Sequence, residues 1–140
     1  MDIEVRLAGK DDIDNIHNIL DEIQGCGMEA RERRFNEALD SSFSHFLVAA
    51  CDRKIIGYLN LWSLPDLVDG EYLGIILDCY VSGKFRHRGV GRLLLEASMD
   101  LGKKLKVNKF YGWMCPDNRA AITLLKRCGF STESLMLEKK

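Results

Sequence analysis

Apolar residues recur along this chain with two distinct periods. Ile3, Val5 and Leu7 alternate with Glu4 and Arg6, the pattern of a half-buried strand. Ile13, Ile16, Leu20 and Ile23 return at helical spacing behind Asp11-Asp12, which can cap a helix, and Gly25 and Gly27 end it. A second, highly charged helix is predicted from about Glu29 to Leu39. Phe46–Cys51 and Lys54–Trp62 are β-rich runs on either side of Asp52-Arg53, as in a hairpin. Ser63–Gly70, with Pro65, Asp66, Asp69 and Gly70, reads as a loop, and Tyr72–Val81 as a long strand. A helix is expected near Gly89, with Val90, Leu93, Leu94, Ala97 and Leu101 on one face. Lys109–Met114 reads as a strand. The next helix is capped by Asp117 or Asn118, turns Ala121, Leu124, Leu125 and Cys128 inward, and stops at Gly129. Leu135–Glu138 reads as a short terminal strand. The order β-α-α-β-β-β-α-β-α-β predicts an α/β (α+β) fold, a mixed sheet flanked by helices, as a single domain over 1–140.

Composition narrows the function classes. At 46% hydrophobic residues, 140 positions suffice for a core without a metal or disulfide staple. No apolar run approaches the ~20 residues that cross a bilayer, and Met1–Arg6 carries acids and no apolar leader. These features predict a cytoplasmic chain without a membrane partner. The five cysteines form no C-x-x-C pair and are odd in number, which suits reduced thiols. His17, His45 and His87 lie too far apart for zinc-type spacing, so no metal is expected. A net charge of −1 argues against nucleic acid as a partner. Trp62 and Trp113, both in strands, are expected in the core.

The charge distribution says more than the total. Between Cys79 and Leu95 there is no acidic residue, while Lys84, Arg86, Arg88 and Arg92 are basic. This segment is a strand, a basic loop with glycines, and then the start of an amphipathic helix. A helix N-terminus leaves N–H groups unpaired and carries partial positive charge, and glycines let a ligand approach the main chain. Such a turn suits a phosphate or diphosphate. It is not a P-loop, because the second glycine position, counted from Gly83, is Arg88. It is not a dinucleotide fingerprint either, because the third glycine position is Leu94.

The pattern R-x-x-G-x-G at Arg86, Gly89 and Gly91, directly after a strand, resembles the GNAT acyltransferase superfamily. A second block, Asn118-x-x-Ala121-x-x-Leu124-Leu125-x-x-x-Gly129-Phe130, is similar to that family's downstream motif. The resemblance implies a mostly antiparallel sheet whose fourth and fifth strands splay. It implies acetyl-CoA as co-substrate, with the diphosphate on the main chain of Arg86, His87, Arg88, Gly89, Val90, Gly91 and Arg92. It further implies pantetheine along Cys79, Tyr80 and Val81, with Asn118 touching that arm. The acceptor is expected to be an amine, attacking the thioester directly, with the Cys79 N–H facing the developing oxyanion. Homodimers are common in the family.

Acid–base residues depart from the family pattern. The glutamate position of histone-type relatives is Ile75, which leaves Asp78 as the acid within this strand. The tyrosine that protonates the leaving thiolate is replaced by Leu125, leaving Tyr80, Tyr111 or Cys115 as donors, or direct release of the thiolate assisted by water. Asp66, Asp69 and Glu71 fall where relatives form one wall of the acceptor site. Two readings follow: an N-acetyltransferase, or a non-catalytic acyl-CoA sensor on the same fold.

Overall fold

The alternation at Ile3–Leu7 becomes β1, paired antiparallel with β2 (Ser44–Cys51), in a computed structural model that describes residues 1–140. β2 turns into β3 (Lys54–Asp66) through Asp52 and Arg53, both with positive φ (50° and 66°). That is the geometry of the tight turn whose twist matches antiparallel strands. β4 (Glu71–Val81) pairs antiparallel with β3, and β5 (Val107–Gly112) pairs parallel with β4. The sheet order is β1-β2-β3-β4-β5. Arg6 binds the buried Asp12 through two hydrogen bonds of 2.9 and 3.0 Å, tying β1 to the start of the first helix.

Helices α1 (Ile13–Asp21) and α2 (Met28–Asp40) cover one face of the sheet. Ile13, Ile16, Ile19 and Phe35 pack there on Val48, Ile55 and Tyr58. Helices α3 (Val90–Lys104) and α4 (Arg119–Arg127) cover the other, where Val90, Leu94, Leu95 and Leu125 meet Leu47, Leu59, Leu61 and Ile76. α3 approaches the sheet most closely at Gly102: a Cβ there would lie 2.3 Å from Phe110 of β5. Gly102→Ala is therefore expected to cost about 1–3 kcal/mol by overpacking. Chemical denaturation would read this as a lower midpoint at unchanged slope.

The structure corrects several expectations. β3 runs on to Asp66, with Pro65 opposite Tyr72, so the connection is only residues 67–70. A proline is tolerated there because it lies at the end of the ribbon, where a missing N–H disrupts little of the ladder. β5 begins two residues earlier than the apolar run suggested. Leu93 and Trp113 are exposed by 39% and 46%, and Trp113 lies just past β5 rather than in the core. Leu135–Glu138 forms no strand, because residues 131–140 pair with nothing in the chain. No helix is long and apolar enough to cross a membrane.

Candidate functional site

The site is made where two neighbouring strands part. β4 keeps its register with β3 to the pair Val81–Gly57, but its register with β5 stops at Ile76–Gly112. Beyond Ile76, one edge of β4 faces an open wedge. A register shift between Asn60 and Leu61 puts an extra residue, Leu77, into β4 at this point. Such a bulge reverses which residues point their main-chain groups outward. Ile76 accepts from Trp113 N–H at 3.2 Å on the β5 side, whereas Ser82 N–H donates to Ile56 O at 2.8 Å on the β3 side. Counting back by twos from Ser82, Tyr80 and Asp78 bond toward β3, and the backbone groups of Val81 and Cys79 point into the wedge. The bulge thus aims the Cys79 N–H into the gap.

The wedge opens into a cavity of about 810 Å³. Its floor is apolar: Ile76, Val81, Leu95, Leu124 and Leu125 from the sheet, α3 and α4. Its mouth is the turn between β4 and α3. Here His87 has φ 62°, and Gly89, the N-cap of α3, has φ 81° and ψ 8°. Left-handed residues set among ordinary ones curl successive N–H groups toward a common centre, a concavity suited to an anion. The first amides of the 15-residue α3 add the helix's positive end. The two motif glycines have different physical reasons. A Cβ at Gly89 would meet no protein atom within 4 Å, so its need is conformational. One at Gly91 would sit 3.2 Å from Leu124 Cδ2, so its need is close packing of α3 on α4.

The three arginines are turned to separate tasks. Arg86 Nε donates to Val81 O at 3.1 Å, closing the turn back on β4. Arg92 pairs with Glu96 at 2.9 Å on the helix surface while lining the cavity. Arg88 lies over the Phe85 ring, 5.7 Å from its centroid, with Met1 at its tip, and does not line the cavity. Asn118 lines the cavity and also caps α4, its Oδ1 accepting from Ala121 N–H at 3.2 Å.

Side chains on β4 alternate between the two faces of the sheet. Cys79 packs with the α3 cluster, and burial followed by the neighbouring Asp78 charge pushes its thiol up to about 12. A thiol so placed stays protonated and is a poor nucleophile. Asp78 and Tyr80 take the α1–α2 face beside Tyr58, whose ring lies 6.0 Å from that of Tyr80. Burial alone raises the Asp78 carboxyl, with no hydrogen bond opposing it, and Asp78 is not among the cavity-lining residues. Burial, then the Asp78 charge, also raises Tyr80, which keeps its proton near neutral pH. Leu125 is buried against Gly112, where a Cβ would lie 2.9 Å from its Cδ1, so this position serves packing. Asp69 pairs with Lys109 at 3.1 Å, which removes one charge from the acidic loop.

One contact had no signal in the sequence. Glu22, at the end of α1, accepts from Gly83 N–H at 2.8 Å and from Ser82 Oγ at 3.1 Å. This brings Ile23 to the cavity wall. Sixty-one positions separate Glu22 from Gly83, and only the tertiary fold joins them.

A sequence model of the Acetyltransferase (GNAT) family matches residues 13–130. An N-alpha-acetyltransferase from Sulfurisphaera tokodaii is 32% identical over 106 residues, which take in 69% of this chain and 62% of that relative. The chain thus spans less than two thirds of the relative's length. Among solved structures, a transcriptional regulator from Bacillus halodurans superposes with a TM-score of 0.91 at 17% identity, covering 99% of each chain. A GNAT family acetyltransferase from Staphylococcus aureus gives 0.85 at 18%, covering 100% of this chain and 99% of that one. An aminoglycoside N-acetyltransferase, AAC(6')-Iy, in complex with CoA gives 0.87 at 20%, covering 99% and 95%. At these identities the structural likeness concerns the fold.

Proposed function

Because the chain belongs to the GNAT acetyltransferase family, we propose that residues 1–140 act as one catalytic domain that transfers an acetyl group from acetyl-CoA to a primary amine. The observation that carries this reading is the wedge between β4 and β5, leading from the Cys79 N–H to the nest at His87–Gly89. A long ligand with an anionic head, a polar arm and a reactive end fits that sequence of surroundings. The main chain of Arg86 through Arg92 would hold the diphosphate, with Val90 N–H at the helix end. The backbone of Cys79 and Val81 would hold the pantetheine arm, with Asn118 beside it, while Tyr80, whose main chain bonds to β3, lines the same cavity.

Acetyl-CoA supplies the activated thioester, and the protein supplies position and charge. The Cys79 N–H donates to the carbonyl oxygen as negative charge develops, a contribution of about 3 kcal/mol when such a donor is well placed. Asp78 and Tyr80 lie on the α1–α2 face, so the amine enters from that side of β4. Asp78 accepts the ammonium proton, directly or through a water, and Tyr80 is the nearest phenol for the leaving thiolate. The five free cysteines suit a reducing compartment such as the cytoplasm.

The protonated state of Cys79 supports direct attack over an acetyl-enzyme. Cys79→Ala is expected to keep turnover within about threefold of the wild type, since only a small buried volume is lost. Incubation with acetyl-CoA alone is expected to leave the protein mass unchanged. An acetyl adduct on Cys79 that is needed for turnover would overturn direct attack. The packing role of Leu125, where a phenol is absent, favours the sensor as second reading. CoA release with any member of a broad amine panel would exclude it, and release with none would exclude the transferase.

A further inference from the structure

Asn60 is a polar side chain in the middle of β3, only 2% exposed, and no step of the proposed reaction uses it. Its hydrogen-bonding groups are all engaged. Oδ1 accepts from Trp62 Nε1 at 2.6 Å, and Nδ2 donates to Ser44 Oγ at 2.9 Å and to His45 O at 3.1 Å. An indole N–H only donates and a carbonyl only accepts, so the amide has a single orientation. The register places Asn60 directly opposite Asp78 across β3 and β4. Side chains so paired share a face, with Cβ atoms roughly 4.5–5.5 Å apart. The Asp78 carboxyl thus has a primary amide as its cross-strand neighbour, yet both protons of that amide are held by β2. The ionisable groups around Asp78 are Tyr58 of β3, Tyr80 and the Cys79 thiol of β4 and, beyond Tyr58, Arg31 of α2, which Asp21 and His17 of α1 hold. None of them donates a hydrogen bond to it, and burial alone raises its pKa.

We infer that Asn60 is a positioning residue for Asp78: the Ser44–Asn60–Trp62 network holds the facing amide away from the carboxyl and keeps it without a donor. The inference rests on the reading of Asp78 as the base. A carboxylate that gains a donor is stabilised in its charged form and becomes a weaker acceptor of protons. Turning the amide toward β2 therefore preserves the basicity that burial confers. An apolar residue at position 60 would withhold a donor equally well, but it would leave the Trp62 N–H without its partner. Asparagine satisfies both demands.

A carbon-13 NMR titration of the Asp78 carboxyl in the full chain tests this, beside kcat over the same pH range. Ser44→Ala/Trp62→Phe removes the partners of Oδ1 and of one N–H, which lets the amide turn to Asp78. The titration midpoint is expected about one pH unit below that of the wild type. The plateau kcat is expected to fall about threefold as the base weakens. Asn60→Leu offers no donor and is expected to show no downward shift. If the double variant is unfolded, Ser44→Ala alone decides, with a smaller shift in the same direction. A network that serves packing alone would lower the denaturation midpoint and leave the titration where it is. An unmoved midpoint in the deciding variant overturns the inference, and so does an equal fall in Asn60→Leu. A midpoint that moves while the kcat profile stays still overturns the reading of Asp78 as the base, and the inference with it.

Discussion

Gly89→Val is expected to weaken acetyl-CoA binding roughly 100-fold while leaving the protein folded. The left-handed conformation at Gly89 (φ 81°, ψ 8°) costs a residue with a Cβ about 1–2 kcal/mol, and a β-branched one more. The turn escapes that strain by flattening, which spreads the amides that His87 and Gly89 now curl together. Each amide that no longer reaches the ligand loses about 1 kcal/mol. The core is untouched, because no protein atom lies within 4 Å of the new Cβ. In a thermal-shift experiment, acetyl-CoA at 100 times its Kd stabilises the wild type by about 2.7 kcal/mol, on the order of 8 °C for a chain of this size. The valine variant is expected to show almost no shift at the same ligand concentration. Gly91→Ala, whose Cβ presses on the flexible end of Leu124 and touches Val81, is expected to lose less binding and more stability. Unchanged affinity in Gly89→Val would remove the main-chain cradle from the mechanism.

Asp78→Asn is expected to lower kcat about 10²- to 10⁴-fold, the usual contribution of a positioned base. The pH dependence separates this role from a structural one. Burial raises the Asp78 pKa, so its ionised form appears at higher pH than for an exposed carboxylate. Activity is therefore present above that raised pKa and is lost as pH falls through it, and the variant lacks this inflection. Stability runs the other way. A raised folded pKa favours the protonated carboxyl, so its contribution is present below the unfolded pKa and lost as pH rises through the folded one. The asparagine variant is expected to be at least as stable as the wild type above neutral pH. A variant that keeps the wild-type profile would assign the proton to another group.

Much of the fold was legible along the chain because its elements have clean periods and chemical stops. Asn118 signalled a cap and accepts from the α4 amide three residues on. Gly129 signalled the end of α4 and adopts φ 96°. Asp52-Arg53 signalled a hairpin. The turn proposed to hold the diphosphate was legible for a similar reason, since glycines and basic residues concentrate in one short stretch. Elements whose state depends on a partner strand were less legible. Pro65 and the acids around it read as a loop, yet pairing with β4 holds them in β3. Leu135–Glu138 has the pattern of a strand, but pattern alone cannot provide an edge for it within the chain.

The order of elements, the two apolar faces and the basic, glycine-containing turn before α3 were determined by the sequence itself, because propensity, capping and charge are local properties. The tertiary structure decided where the chemistry points. The Leu77 bulge directs the Cys79 amide into the wedge, the sheet separates Asp78 from the cavity floor, and Glu22 is carried 61 positions to the mouth of the site. These depend on register between strands and on contacts between distant segments, which exist only once the chain has folded back on itself.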